Sequence, residues 1–261
     1  MLQNIIKLKK LYCFPKCIII YTTMKNVISL PVFNEEQSIK NLIEEIQALR
    51  YFKKIIVIND CSTDKTNEYL QEIQCDELIV ISNTVNLGHG PSTLVGMKYA
   101  TNLDCDVIVT ADGDGHYRVE DLKLLSEKIF DLNLDIVEGV RTQRTDPWFR
   151  KLTSLVTRSL VRIRSKSDVD DANTPIRAYR HNVLKVILSE VPSPYYPVPN
   201  LFISATSRKM NFRISGFYIP TTQRNTVSKL GITWQQKYKT LPSKNYIKFC
   251  LKAVYSWYFS K

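Results

Sequence analysis

Val107-Ile108-Val109-Thr110-Ala111-Asp112-Gly113-Asp114-Gly115-His116-Tyr117 decides the fold of this chain. A run rich in β-branched residues ends abruptly in two carboxylates two positions apart, which predicts a buried strand running into a loop. Open α/β sheets take their ligands beyond the carboxyl ends of the strands, so Asp112 and Asp114 are expected at a ligand crevice. The period of two in an extended chain sends both carboxylates the same way. Gly113 and Gly115 leave room for a ligand to approach the backbone. Two like charges this close repel unless a cation lies between them. A hard divalent ion, Mg2+ or Mn2+, suits carboxylates that share it with substrate phosphates. Taken alone, the D-x-D triplet also reads as a polar turn with two solvated aspartates.

Working outward, residues 26–30 read as a short strand stopped by Pro31. Asn34 reads as a helix N-cap, with Glu35 and Glu36 in the first turn. Ile39, Leu42, Ile43, Ile46 and Leu49 follow at helical spacing. Residues 55–59 form a second buried strand running into the loop 60–66, and 77–82 a third. The turn 86–91 is glycine-rich and opens a helix through Ala100. Residues 106–111 are the fourth strand. Leu122, Leu125, Ile129 and Leu132 mark another helix, and 135–140 a fifth strand ending at Arg141. Strands alternating with helices predict a Rossmann-like, mostly parallel α/β sheet flanked by helices. The pattern then loosens. Pro147 opens a helix carrying Arg150, Arg158, Arg162 and Arg164, and an acidic cluster, Asp168, Asp170 and Asp171, precedes a strand at 176–179. Four prolines within 191–199 exclude regular structure there. Residues 212–219 alternate like a half-exposed strand.

With 261 residues the chain can bury the core of one large α/β domain. No run reaches the 18 or so apolar residues of a membrane-spanning helix. The six cysteines lack any CxxC pair, which points to reduced thiols and no structural zinc. The net charge of +11 is unevenly placed: residues 1–171 carry a net of −2, whereas 172–261 carry 14 Lys and Arg and one acid, Glu190. Such asymmetry predicts an anionic partner for the last third. Residues 1–24 are basic and apolar and read as an N-terminal extension, with Met24-Lys25-Asn26-Val27 as an alternative start, or as an ordinary extra strand or helix. Residues 233–261 form a basic, aromatic tail. It mixes Lys248 and Lys252 with Tyr246, Phe249, Tyr255, Trp257, Tyr258 and Phe259. This reads as an interfacial segment on an anionic membrane or as a helix packed on the domain.

Four strand-end signals, Pro31 to Glu36, Asn59 to Thr66, Asn86 to Pro91 and Asp112 to His116, fall in order at one edge of one sheet. Together, over residues 25–232, they resemble family 2 glycosyltransferases of the A-type fold, nearest the dolichol-phosphate mannosyltransferase-like branch. The resemblance implies that Pro31, Phe33, Asn34 and Glu35 hold the base and ribose of a nucleotide sugar, with Ile58, Asp60, Asp112 and Gly113 beside it. Asn59 stands where the family has a first acid. Asp112 and Asp114 match the metal motif. His116 replaces a glutamine of the family and would join them as a metal ligand, a substitution that favours Mn2+ over Mg2+. Arg141 matches the arginine of the family's G-x-R and Arg150 a second phosphate-facing arginine, which with Asp114 makes the implied catalytic set. Arg224 and Lys229 match a late arginine and lysine, in a loop one residue short and lacking the family's glycine. Thr174-Pro175 stands where lipid-phosphate enzymes carry serine-glycine.

The implied reaction moves a hexosyl group from a nucleotide diphosphate sugar, with inversion and a divalent metal. A hydroxyl acceptor needs a general base, and Asp170 and Asp171 are the candidates. A polyprenyl phosphate is already ionised and suits basic surroundings, so it is the expected acceptor, with a glycan hydroxyl as the alternative. The expected place is the cytoplasmic face of a membrane, held peripherally. A nucleotidyltransferase would carry a glycine-rich, lysine-bearing loop after the first strand, where this chain reads Pro-Val-Phe-Asn-Glu-Glu. A nucleic-acid partner is not expected, because no RNA or DNA motif accompanies the basic tail.

Overall fold

The computed structural model describes residues 24–73, 75–142, 147–220 and 241–259. Its strands are β1 (Asn26–Val32), β2 (Phe52–Asn59), β3 (Leu78–Ser82), β4 (Val107–Thr110), β5 (Ile136–Thr142), β6 (Arg177–Arg180) and β7 (Ile214–Pro220). Among the described residues they form one sheet in the order β3-β2-β1-β4-β6-β5-β7. β6 runs antiparallel to β4 and β5, and the remaining pairs are parallel. The carboxyl ends of β1 to β5 therefore share one edge. The helices are α1 (Ile39–Ala48), α2 (Thr66–Glu72), α3 (His89–Ala100), α4 (Val119–Asp131), α5 (Trp148–Ser165), α6 (His181–Ser189), α7 (Pro199–Lys209) and α8 (Lys244–Phe259).

The period of two in the strands sorts the core into two layers. Ile28, Leu30, Val57, Val107 and Val109 meet Leu42 and Ile46 of α1 and Leu122 and Leu125 of α4. Val27, Ile56, Ile58 and Ile108 meet Met97 and Ala100 of α3 and Val183, Leu184 and Ile187 of α6. A third cluster joins α5, α7 and α8 through Val161, Leu201, Phe202 and Trp257.

Three expectations are corrected. β1 does not stop at Pro31 but runs to Val32, with Pro31 level with Ile58 of β2. Pairing with β4 ends at Ser29, so the proline's missing N–H falls on a flank where the ladder has finished. Asn34 is not a helix N-cap: α1 opens after Ser38. Asn34 adopts a φ of 57° and accepts from Thr63 instead, because cross-loop hydrogen bonds outweigh the local cap. Helices α6 and α7 were not expected. Val183, Leu184 and Ile187 carry helical spacing within α6, but Pro199–Ser207 is buried on all sides and shows no stripe to read.

Candidate active site

The loops after β1 and β2 are laced together backbone to side chain. Asn34 N–H donates to Ser62 Oγ at 3.0 Å, Glu35 N–H to Thr66 Oγ1 at 2.7 Å, and Glu36 N–H to Asp64 Oδ2 at 3.2 Å. In return Thr63 N–H donates to Asn34 Oδ1 at 2.8 Å and Lys65 N–H to Glu36 Oε2 at 3.0 Å. Asn59 accepts from Ser62 N–H at 3.1 Å and donates to Asn67 at 3.1 Å. A neutral side chain can do both, so the exchange of an acid for Asn59 closes this loop without added charge.

Asp60 is 3% exposed, and three donors converge on it: Asn83 Nδ2 at 2.8 Å, Leu87 N–H at 2.9 Å and Gly88 N–H at 2.8 Å. Its carboxylate thus holds the turn into α3. Gly88 sits there at a φ of 92°, a conformation that strains any residue with a Cβ. The Ile58 side chain is fully buried against α3, on the layer its alternation dictates. Pro31 is likewise buried, and its carbonyl accepts from Gly113 N–H at 3.1 Å.

That bond ties the D-x-D loop to β1. A Cβ on Gly113 would collide with Val32 Cγ1 and come within 2.8 Å of Pro31 O. Tyr117 Oη donates to Asp112 O at 2.7 Å, and His116 N–H donates to Asp114 Oδ1 at 3.1 Å. Asp112 Oδ1 is shielded from solvent and makes no hydrogen bond, although His89 Nε2 at the start of α3 lies 3.3 Å away as an ion-pair partner. Desolvation, reinforced by the charge on Asp112, pushes the Asp114 carboxyl above the usual range. Desolvation pushes Glu35 up to about 7, with the charges of Asp114, Asp64 and Asp112 adding to it and the Ser38 hydroxyl opposing it. Three acids crowded in one place favour an added cation. Among the described residues, however, no three His, Cys, Asp or Glu side chains converge as metal ligands. The pair still fits a divalent ion of the kind that takes one or two carboxylates and completes its shell with water and phosphate. The Asp112 oxygen that makes no hydrogen bond is the observation in favour.

Across the sheet the carboxylates meet arginines. Arg141, at the end of β5, makes a bidentate pair with Asp171 at 2.7 and 3.1 Å and donates to Asn173 O at 3.3 Å. This joins a predicted catalytic arginine to a predicted base. Val140, Arg141, Ser154, Thr157, Arg158 and the exposed Asp170 surround a small pocket beside the pair. Arg150, half-exposed on the first turn of α5, lies near Tyr246. Arg224 and Lys229 lie outside the described residues.

Beneath this loop is a buried network that the sequence reading passed over. Arg177 is 0% exposed and donates to Asn200 O, Ala172 O and Ser204 Oγ. Glu138 lies 3.5 Å from Arg177 and takes Arg208 at 2.6 and 3.1 Å. Burial opposes ionisation of Glu138, but the Arg177 and Arg208 charges outweigh it and hold the carboxyl below its usual range. Arg208 and Arg158 donate to the carbonyls of Asp168 and Val169. Arginines thus clamp the backbone of 168–173 from several sides. The signal was present in the sequence as Glu138 within the apolar start of β5 and Arg177 following Ile176 at the start of β6.

Residues 27–188 match the family model of glycosyl transferase family 2. The chain is 26% identical over 202 residues to a UDP-N-acetylglucosamine–dolichyl-phosphate N-acetylglucosaminyltransferase of Methanococcus voltae, covering 70% of this chain and 80% of the relative. It is 32% identical over 173 residues to an undecaprenyl-phosphate 4-deoxy-4-formamido-L-arabinose transferase of Pectobacterium carotovorum, covering 63% of this chain. That match spans about half of the relative's length, 52%. Among solved structures, glucosyl-3-phosphoglycerate synthase of Mycobacterium tuberculosis with Mn2+, UDP and glucosyl-3-phosphoglycerate superposes with a TM-score of 0.61. Its identity is 17%, covering 84% of this chain and 79% of that one. At that identity the likeness is one of fold.

Proposed function

The chain belongs to glycosyl transferase family 2, and from that premise we propose that it moves a glycosyl group from a nucleotide diphosphate sugar to a polyprenyl phosphate at a membrane surface. The observation that carries the donor half is the D-x-D loop, with a shielded oxygen on Asp112 that makes no hydrogen bond, beside an acidic cluster. Asp112 and Asp114 would hold a divalent cation, Mg2+ or Mn2+, which when bound offsets negative charge on the leaving diphosphate. The laced loops around Asn34 and Ser62 form the seat for the nucleoside, with Phe33 and Glu35 facing it. Asp60 acts from behind by fixing the turn into α3. Gly113 lets the loop lie against β1.

In the transfer, the bond from the anomeric carbon to the diphosphate oxygen breaks with its electron pair leaving on the diphosphate. An acceptor oxygen bonds to the opposite face of that carbon, inverting it. Arg141 and Arg150 orient phosphate oxygens by charge-assisted hydrogen bonds. A phosphate acceptor needs no base. That agrees with an Asp171 already engaged by Arg141, and the relatives named for dolichyl and undecaprenyl phosphate support the same acceptor class. The proposed association is peripheral, on the face that meets nucleotide sugars, the cytoplasmic one; no helix among the described residues is long and apolar enough to cross a membrane.

The test is incubation with radiolabelled nucleotide sugars, Mg2+ or Mn2+, and undecaprenyl or dolichyl phosphate, with label counted in the organic phase. Metal-dependent label is expected in lipid, and Asp114→Asn is expected to lose roughly 100- to 1,000-fold in kcat, the scale of a lost preorganised electrostatic group. Donor consumption without lipid product would overturn the acceptor and turn attention to a glycan hydroxyl with Asp170 as base.

A further inference from the structure

The 168–173 loop is pinned on both sides of Asp171. Before it, Arg208 donates to Asp168 O at 3.0 Å and Arg158 to Val169 O at 3.1 Å. After it, Arg177 and Ser204 both donate to Ala172 O, at 3.2 and 2.8 Å. Thr174 Oγ1 then donates to Gly139 O at 2.6 Å, which ties the end of the loop to β5. The backbone is therefore fixed, and what can move at Asp171 is its side chain. That carboxylate places both oxygens on Arg141, accepting from Nε at 2.7 Å and from Nη2 at 3.1 Å. Nη2 also donates to Asn173 O at 3.3 Å. Arg141 thus has a backbone partner that does not depend on Asp171, and its side chain would stay in place if the carboxylate left. Both side chains of the pair are less than one-fifth exposed, and both line the pocket shared with Ser154, Thr157 and Arg158.

A bidentate carboxylate offers a guanidinium the same two-oxygen edge as a phosphate. Arg141 ends β5, two strands across the sheet from β4 and its D-x-D loop, a separation of about 10 Å. An anion on Arg141 therefore sits beside the donor's cation site without sharing it. We infer that Asp171 is a specificity-determining residue: its carboxylate fills the acceptor's phosphate seat on Arg141 and sets an affinity threshold that a phosphate monoester passes and weaker ligands do not. The physical reason is competition. Every ligand of Arg141 must first separate the same ion pair, so each loses the same factor in affinity. A monoester brings nearly two charges and three strong acceptor oxygens, enough to replace one carboxylate and both of its hydrogen bonds. A phosphodiester brings a single charge. A sugar hydroxyl brings none and cannot open a pair that is largely shielded from water. The displaced carboxylate stays in reach of a cation, because Arg158 lines the same pocket. Asp171 acts here by holding a place, which is a different role from accepting a proton. The inference rests on the proposed phosphate acceptor, and the two fail separately in the experiment that follows.

The test is calorimetric titration of the full chain with farnesyl phosphate, with its methyl diester, and with UDP plus Mn2+, near neutral pH. A seat closed about nine times in ten weakens apparent affinity about tenfold, so Asp171→Asn should tighten farnesyl phosphate about tenfold. The diester should gain the same factor and still bind less tightly than the monoester. Asp171→Ser is the second variant, with the same direction expected, and unchanged circular dichroism confirms that each is folded. In an Arg141→Gln background, Asp171→Asn should bring no gain, because the seat itself is gone. Asp170→Asn removes the same charge one residue away and should have the smaller effect. Equal or weaker binding of farnesyl phosphate by both Asp171 variants would overturn the inference. So would an equal gain from Asp170→Asn, which would make the effect one of overall charge. A gain for UDP with none for farnesyl phosphate would assign the seat to the donor and overturn it too. If no variant binds farnesyl phosphate, the inference falls, and label in the lipid phase of the transfer assay decides whether the phosphate acceptor survives it.

Discussion

At the edge formed by β1, β2 and β4, carboxylates are held by backbone N–H groups, hydroxyls and amides. Asp60 takes two N–H groups and an asparagine, Glu35 a serine hydroxyl, and Asp114 the His116 N–H. At β5 and β6 the carboxylates are held by guanidinium groups instead: Glu138 by Arg208 and Arg177, Asp171 by Arg141, Asp135 by Arg213 and Arg180. Neutral partners satisfy the hydrogen bonds of a carboxylate and leave its charge uncompensated, so the first region retains a negative potential that a cation can answer. In the second, arginines offset Glu138, Asp171 and Asp135. One sheet thus carries two potentials.

The comparison breaks first at Glu138. Glu138→Gln leaves Arg177 and Arg208 buried without their carboxylate and should cost about 3–5 kcal/mol of stability, the scale of breaking a buried pair. Denaturant unfolding measures this, and an unchanged midpoint would mean that the arginines do not depend on the acid. On the other side, Gly113→Ala forces a methyl group against Val32 and Pro31 O. It should cost about 1–3 kcal/mol, and a neutral result would show that the D-x-D loop is not pinned to β1.

The smallest effect sharpens the contrast through pH. Burial raises Glu35 in the folded protein from 4.5 to about 7, so the folded state binds this proton more tightly than the unfolded chain. The resulting stabilisation is complete below pH 4.5 and is lost as pH rises through 7. Glu35→Gln should therefore flatten the stability profile over that window, read from thermal midpoints at successive pH values. A profile identical to the parent's would place Glu35 in ordinary solvent.

The donor side was the more legible. Its strands and the D-x-D loop follow from local alternation, and each motif lies within a few residues of a strand end. The roles of single residues were less so. Asp60 and Ile58 stand close together at the end of β2, yet Asp60 turns to the loop before α3 and Ile58 into the core. His89 comes to 3.3 Å from Asp112 only through the placement of α3 beside β4. On the other side little was readable, because Arg141 and Asp171 are 30 residues apart in the chain and α7 has no polar face to mark it.

What the sequence determined by itself is what short-range physics controls: where hydrophobic periods of two and 3.6 begin and end, the acids at one set of strand ends, and the basic bias of the last third. The tertiary structure decided which charges meet. The insertion of antiparallel β6 between β4 and β5 sets Arg177 beside Glu138 and brings the 168–173 loop to Arg141. The packing of α8 along α5 brings Tyr246 to Phe149 and Trp257 to Arg164. Those pairings depend on crossovers between distant elements, and Coulomb and apolar contacts act over a few ångströms in space whatever the separation along the chain.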